Sequence, residues 1–212
     1  MGRTLITAFA VSVLLLLSGC GSGGSNSPPS VATQILSNPA HDGDIENDIN
    51  GVFHVTQGST SSVLAGIDAT TGSEFRAFLD FPLTGAGGVP GNAVIESATL
   101  DIFIDTISQP SAASIPIRID LVSFPPLPLL ASDYDRTIQP ALTFARTFIV
   151  PSDQNHHVSI DVTSLMVQAQ ISGLANFQIR ILEDFGTNIQ DGLIEIDDTT
   201  VNRAPLLEVT YH

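Results

Sequence analysis

Apolar residues recur at every second position through most of the chain, and that period of two limits the fold more than any other feature. In FRAFLDF, Phe75, Ala77, Leu79 and Phe81 share one side, while Arg76, Phe78 and Asp80 share the other. Between Val94 and Asp105, Ala98, Leu100, Ile102 and Ile104 point one way; Ser97, Thr99, Asp101 and Asp105 point the other way, with Phe103 among them. That apolar face stops at Thr106, which predicts the strand end. Ile115, Ile117, Ile119 and Leu121 alternate with Pro116, Arg118 and Asp120. The pattern returns in Val158-Ile160-Val162, Phe177-Ile179-Ile181 and Leu207-Val209-Tyr211. Successive strand side chains point to opposite faces. Each run therefore predicts a strand with one dry and one wet face, as in stacked antiparallel sheets. Gly, Pro and Asn clusters separate the runs, as in a β-sandwich. One helix is expected from Ser164 to Ser172, capped by Thr163, buried through Leu165, Met166, Ala169 and Ile171, and ended by Gly173. It bridges two strands across one end of the sandwich.

The N-terminus has a different grammar. Arg3 precedes an apolar run from Leu5 to Leu17 that closes in Leu17-Ser18-Gly19-Cys20. The run is too short to span a bilayer comfortably and has the layout of a secretory leader. Leu-Ser-Gly-Cys resembles the lipobox of bacterial lipoproteins, in which the cysteine becomes the lipidated mature N-terminus. Cys20 is the single cysteine, so no disulfide forms within the chain. Gly21 follows it; in Gram-negative lipoproteins an aspartate there resembles an inner-membrane retention signal, so the expected location is the outer membrane. Residues 21–30, GSGGSNSPPS, read as a flexible tether. The expected organisation is a signal peptide over 1–19, lipidated Cys20 and tether over 20–30, and one β-sandwich domain over 31–212.

The 212 residues carry a net charge of −15, with seven arginines and no lysine. Such a chain repels phosphate backbones, which argues against nucleic acid, and equally against an anionic membrane surface. Its acid is concentrated in HDGDIENDING, residues 41–51, where Asp42, Asp44, Glu46, Asp48 and Asn50 occupy alternate positions before Gly51. Calcium takes six to eight oxygens, and loops often supply them from alternating Asp and Asn. An EF-hand does not fit: counted from Glu46, Asp48, Asn50 and Gly51 fall in place, but the closing position is Gln57. A calcium site here would add donors from a distant strand, with Asp184, Asp191, Asp197 and Asp198 available. The competing reading is a solvated acidic loop.

Three segments carry a family resemblance. FRAFLDFPL followed by AVIESATLDIFI, then VSIDVTSLMVQAQISGLANFQIRI, then APLLEVTYH together resemble the DNRLRE domain, grouped with carbohydrate-binding module family 96 and the disaggregatase-related domains. The resemblance covers most of residues 31–212. It implies a jelly-roll-like antiparallel β-sandwich, all-β, used as a non-catalytic module and in some cases binding acidic polysaccharide. Arg76 matches the arginine of the first motif and Asp161 the aspartate of Asp-Val-Thr. Arg203 and Pro205 approximate a closing Arg-Pro, with Ala204 between them. The family's tryptophans have no counterpart, since the chain has none.

Without tryptophan, stacking on a sugar ring falls to Tyr134 and Tyr211. Candidate ligand contacts are Arg76, Arg118, Arg136 and Arg180 with Tyr134, because arginine pairs two-pronged with carboxylates. The alternative for each arginine is a cross-strand salt bridge. Asp161 reads as the anion accepting hydrogen bonds at the helix start. His156 and His157, expected in a loop, would point to opposite faces on a strand and do not chelate one ion together. GAGGVPG, residues 85–91, has no helix after it and reads as a hairpin loop rather than a phosphate cradle. No nucleophile or zinc-protease motif is present, so the chain is read as a non-enzyme. The sequence thus suggests an envelope-anchored lipoprotein that binds or scaffolds at the cell surface, with calcium as its possible cofactor. Polysaccharide or envelope proteins are its possible partners. Two alternatives stay open: a structural or adhesive subunit joined through strand edges, and an envelope glycan hydrolase or lyase.

Overall fold

The computed structural model describes residues 28–58, 60–108, 114–184, 192–199 and 202–212. Cys20, the leader, residues 21–27 of the tether and Asp191 lie outside them. Among the described residues, twelve strands, one α-helix and two 3-10 turns follow one another. The strands are β1 (Val31–Leu36), β2 (Gly43–Asn47), β3 (Phe53–Gln57), β4 (Ser62–Ile67), β5 (Glu74–Pro82), β6 (Ile95–Ser108), β7 (Ile115–Val122), β8 (Thr143–Ile149), β9 (His156–Asp161), β10 (Asn176–Glu183), β11 (Leu193–Asp197) and β12 (Leu206–Tyr211). Helix α1 (Thr163–Ile171) lies between β9 and β10. Among the described residues no helix is long and apolar enough to cross a membrane.

The fold is an all-β antiparallel sandwich made by curling one sheet. In the first layer β6 lies between β9 on one side and β12 and β11 on the other; β1 pairs with β12, and β4 with β11. The second layer runs β3-β2-β5-β10-β7-β8. The layers meet at a corner where Gly66 and Ile67 of β4 pair with Phe75 and Glu74 of β5. Gly66 makes that corner possible. Its φ is +115°, and a Cβ there would fall 2.0 Å from the Gly192 carbonyl oxygen. On the opposite side α1 packs on β6, β8 and β10, burying Leu165, Met166 and Ala169.

The expected inner faces form the main core. Ala77, Leu79 and Phe81 of β5 meet Ala98, Leu100, Ile102 and Ile104 of β6, the isoleucines of β7, and Phe177, Ile179 and Ile181 of β10. Each fully buried side chain of this kind contributes about 1.5–3 kcal/mol through loss of apolar surface to water.

Several local expectations change. β6 continues to Ser108 because Ile107 pairs with Ile194 of β11. Thr163 is the first helical residue rather than the cap, and its Oγ1 accepts from the Ala98 N–H of β6. Ile171 is exposed. His156 and His157 open β9 rather than lying in a loop; both are exposed, and His157 Nδ1 lies 2.5 Å from Asp101. Residues 85–91 are not a hairpin loop. β5 and β6 belong to different layers and do not pair, so the segment arches between them and drops Val89 into the core.

The largest change concerns the face expected to be wet. The outer side of β5, β10 and β7 is covered by residues 123–142, which leave β7 and return to β8. Pro125, Pro126 and Pro128 remove backbone donors there, which keeps the segment from extending the sheet. A second apolar cluster forms beneath it from Ile45, Phe78, Val122, Phe124, Leu129 and Tyr134. Phe78 and Phe124 meet edge to face at 5.4 Å. Arg76, Asp80, Asp120 and Arg180 are buried with them.

Candidate functional site

Covering a sheet face that bears charged residues requires each charge to find a partner, because an unpaired buried ion is far more costly than a paired one. Asp120 of β7 is the hub. Its carboxylate takes Arg180 Nη2 at 2.8 Å, Arg118 Nε at 2.5 Å and Arg136 Nε at 3.6 Å. Arg180 and Asp120 are both 0 % exposed. Arg180 also donates to the carbonyls of Asp133 at 2.9 Å and Gln139 at 3.1 Å, which ties the covering segment to the sheet. Burial pulls the Arg180 guanidinium below its ordinary value, opposed by Asp120. Arg118 stacks over Phe144 at 3.6 Å. These two arginines are structural.

Arg76, Tyr134 and Arg136 are brought together. They line one cleft of about 290 Å3 with Phe53 and Asp135. Arg76 pairs with Glu74 at 2.7 Å, donates to the Tyr134 carbonyl, and lies 3.7 Å over the Tyr134 ring. Phe53 of β3 packs on the same ring at 5.0 Å. Burial, then Glu74, push the Tyr134 phenol above its ordinary value. Asp135 accepts from the hydroxyl and N–H of Thr137, which hold its carboxyl below the usual range. Arg136 differs from Arg76, Arg118 and Arg180: its side chain is 42 % exposed and its ion pair with Asp120 is long. The cleft itself is lined by two guanidiniums, Arg76 and Arg136, and one carboxylate, Asp135, on an otherwise acidic chain. An aromatic wall beside a half-free guanidinium suits a planar or ring-shaped anion. Phe53 was invisible as a site residue in the sequence, because β3 has no strong alternation.

HDGDIENDING is not a loop. Asp44 and Glu46 lie on β2, and Asp48 and Asn50 sit in the β2–β3 turn, where Asp48 Oδ1 accepts from the N–H groups of Asn50 and Val52. Those bonds, Val52's first, hold the Asp48 carboxyl below its ordinary value. Asp42 and Asp48 are separated by roughly 20 Å of extended chain, so all five side chains do not share one ion. Among the described residues no three His, Cys, Asp or Glu side chains gather as metal ligands. Asp44 stands opposite Ala77, on the inner face, and accepts from Leu64 N–H at 3.2 Å; burial raises its carboxyl to about 6. Asp42 is fully buried. Burial first, then the charge of Asp198, raise the Asp42 carboxyl to about 8, and burial raises Asp198 to about 6. Of the other distant donors, Asp184 pairs with Arg146, and Asp197 accepts from Thr199 and lies 3.5 Å from Arg203. Asp161 accepts from the N–H and hydroxyl of Thr163 at the helix start.

Neither a known family model nor a curated protein matches the chain.

Proposed function

We propose that the chain is a non-catalytic, lipid-anchored β-sandwich of the cell envelope that binds an anionic sugar unit of a polysaccharide. The binding site in this reading is the cleft of Phe53, Arg76, Tyr134 and Arg136. The observation that carries it is the exposed Arg136 guanidinium facing an aromatic wall, in a cleft whose other arginine is already paired. The leader ending in Cys20 supports placement at the envelope, and the resemblance to DNRLRE domains supports a binding module.

The test is calorimetric titration with oligouronates and with neutral oligosaccharides of equal length. Charge-assisted hydrogen bonds contribute about 1.5–3 kcal/mol, so Arg136→Gln should weaken uronate binding by about tenfold or more. Phe53→Ala should weaken it as well, and both variants should melt like the parent. Equal binding of neutral and acidic sugars, or undiminished binding by Arg136→Gln, would sink the reading.

A second reading rests on β3. It pairs with β2 alone among the described residues and exposes Phe53, His54, Val55 and Thr56. An unpaired edge of this kind accepts a strand from a partner. Concentration-dependent association abolished by Val55→Pro would favour it.

A further inference from the structure

We propose that Asp42, Asp198 and the Ser37 hydroxyl form a calcium site buried at the margin of the sandwich. The three residues come from separate parts of the chain: Ser37 follows β1, Asp42 precedes β2 and Asp198 follows β11. Backbone bonds fix each of them. Ser37 N–H donates to the Pro205 carbonyl at 2.9 Å, and Asp198 N–H to the Ser61 carbonyl at 3.1 Å. Gly58 N–H donates to the Asp42 carbonyl at 3.0 Å, while Asp42 Oδ1 accepts from Asp80 N–H at 2.7 Å. The side chains are 6 %, 0 % and 3 % exposed for Ser37, Asp42 and Asp198. They are close enough that Ser37 acts on both carboxyls and the two carboxyls act on each other.

These oxygens outnumber the donors beside them, since the Ser37 hydroxyl is the one side-chain donor that acts on both carboxyls. Asp42 Oδ2, both Oδ atoms of Asp198 and Ser37 Oγ are buried without a partner in hydrogen-bond geometry. Thr60 Oγ1, one residue before the Ser61 carbonyl that holds Asp198, is in the same condition. Neighbouring cations are engaged elsewhere: His41 pairs with Asp80, and Arg203 with Asp105 and Asp197. Two carboxylates facing each other in a dry site repel, and each also forgoes its hydration. A shared proton would satisfy one pair of oxygens and leave the others bare. A cation among them satisfies all at once.

The donor set selects the ion. It is all oxygen, with two carboxylates and the Ser37 hydroxyl. Zinc and other transition metals favour nitrogen or sulfur ligands, which this site does not offer. Magnesium keeps a rigid octahedral shell of waters and is reluctant to lose it, whereas calcium accepts six to eight oxygens in loose geometry. With only two charged ligands, affinity in the range of extracellular modules is expected, about 10⁻⁴ to 10⁻³ M. The site is independent of whatever the cleft binds.

The experiment uses the full-length protein in detergent, melted in EDTA and in excess calcium or magnesium, with equilibrium dialysis measuring bound calcium directly. At a hundredfold over the dissociation constant the stabilisation is about 2.7 kcal/mol, or a shift of about 5–10 °C for a fold of this size. Asp198→Asn should abolish the shift. It should still fold in EDTA, because it removes a like charge and supplies an amide donor to Asp42. Asp48→Asn, in the hairpin turn, should keep the full shift. Should Asp198→Asn fail to fold, Asp42→Asn and dialysis of the parent carry the same decision. Superimposable melts with no calcium retained, a full shift in Asp198→Asn, or an equal shift from magnesium would each overturn the assignment.

Discussion

Asp120→Asn is the substitution that most directly probes how a charged sheet face became an interior. The replacement keeps shape and volume but withdraws the negative charge from Arg180, which is fully buried, while Arg118 and Arg136 lose the same partner. Breaking a buried ion pair from one side costs about 3–5 kcal/mol, because the remaining ion stays desolvated and unpaired. For a fold of this size each kcal/mol moves the midpoint by about 2–4 °C, giving a drop of about 6–20 °C. The double variant Asp120→Asn with Arg180→Met should recover part of that loss, since an apolar side chain replaces the stranded ion. Recovery should be incomplete, because the carbonyls of Asp133 and Gln139 then lose their donor, at about 1–3 kcal/mol for each buried group. Circular dichroism melts give the midpoints. Limited trypsin digestion reports on the covering segment, since the chain has no lysine and Arg136 lies within that segment. A loss under about 1 kcal/mol in the single variant, or full recovery in the double one, would refute the reasoning.

Other expectations follow from the same structure. Phe78→Ala removes the centre of the second cluster and should cost about 3–5 kcal/mol in urea unfolding, with faster trypsin cleavage at Arg136 in the native state. Gly66→Ala forces a Cβ into the Gly192 carbonyl at a positive φ and should cost ~3 kcal/mol or more, measured the same way. Asp161→Ala removes the acceptor at the start of α1 and should lower stability by about 0.5–2 kcal/mol, with the strand signal in circular dichroism unchanged.

The sequence made one face of each strand readable and concealed the other. Ala77, Leu79, Ile117, Ile119, Ile179 and Ile181 alternate cleanly because the main core repels every polar neighbour from their side. Arg76, Asp80, Arg118, Asp120 and Arg180 looked solvent-facing for a sound reason, as such residues are seldom buried. Their burial depends on pairing across strands 60 residues apart and on a proline-rich cover that has no period of its own. β2 was unreadable for the opposite reason: Asp44 occupies an inward position where an apolar residue is the norm. Arg76, Tyr134 and Arg136 could be nominated by chemistry, but only the fold separates Arg136, with its exposed guanidinium, from Arg118 and Arg180, which are structural. Asp198 was one acid among four until its unpartnered oxygens set it apart from Asp184 and Asp197.

The position of β12 has a consequence for how the chain is made. The last strand in sequence sits between β1 and the N-terminal half of β6, and β11 occupies the same side of β6 further along. A chain emerging N-terminus first therefore presents these edges of β1 and β6 open until β12 is made, and among the described residues no earlier strand occupies the gap. Exposed edges are where chains pair wrongly with one another. The first layer closes only once β12 has been made, so its folding waits for that strand. Loss of Leu206–Tyr211 alone should be as damaging as loss of a central strand.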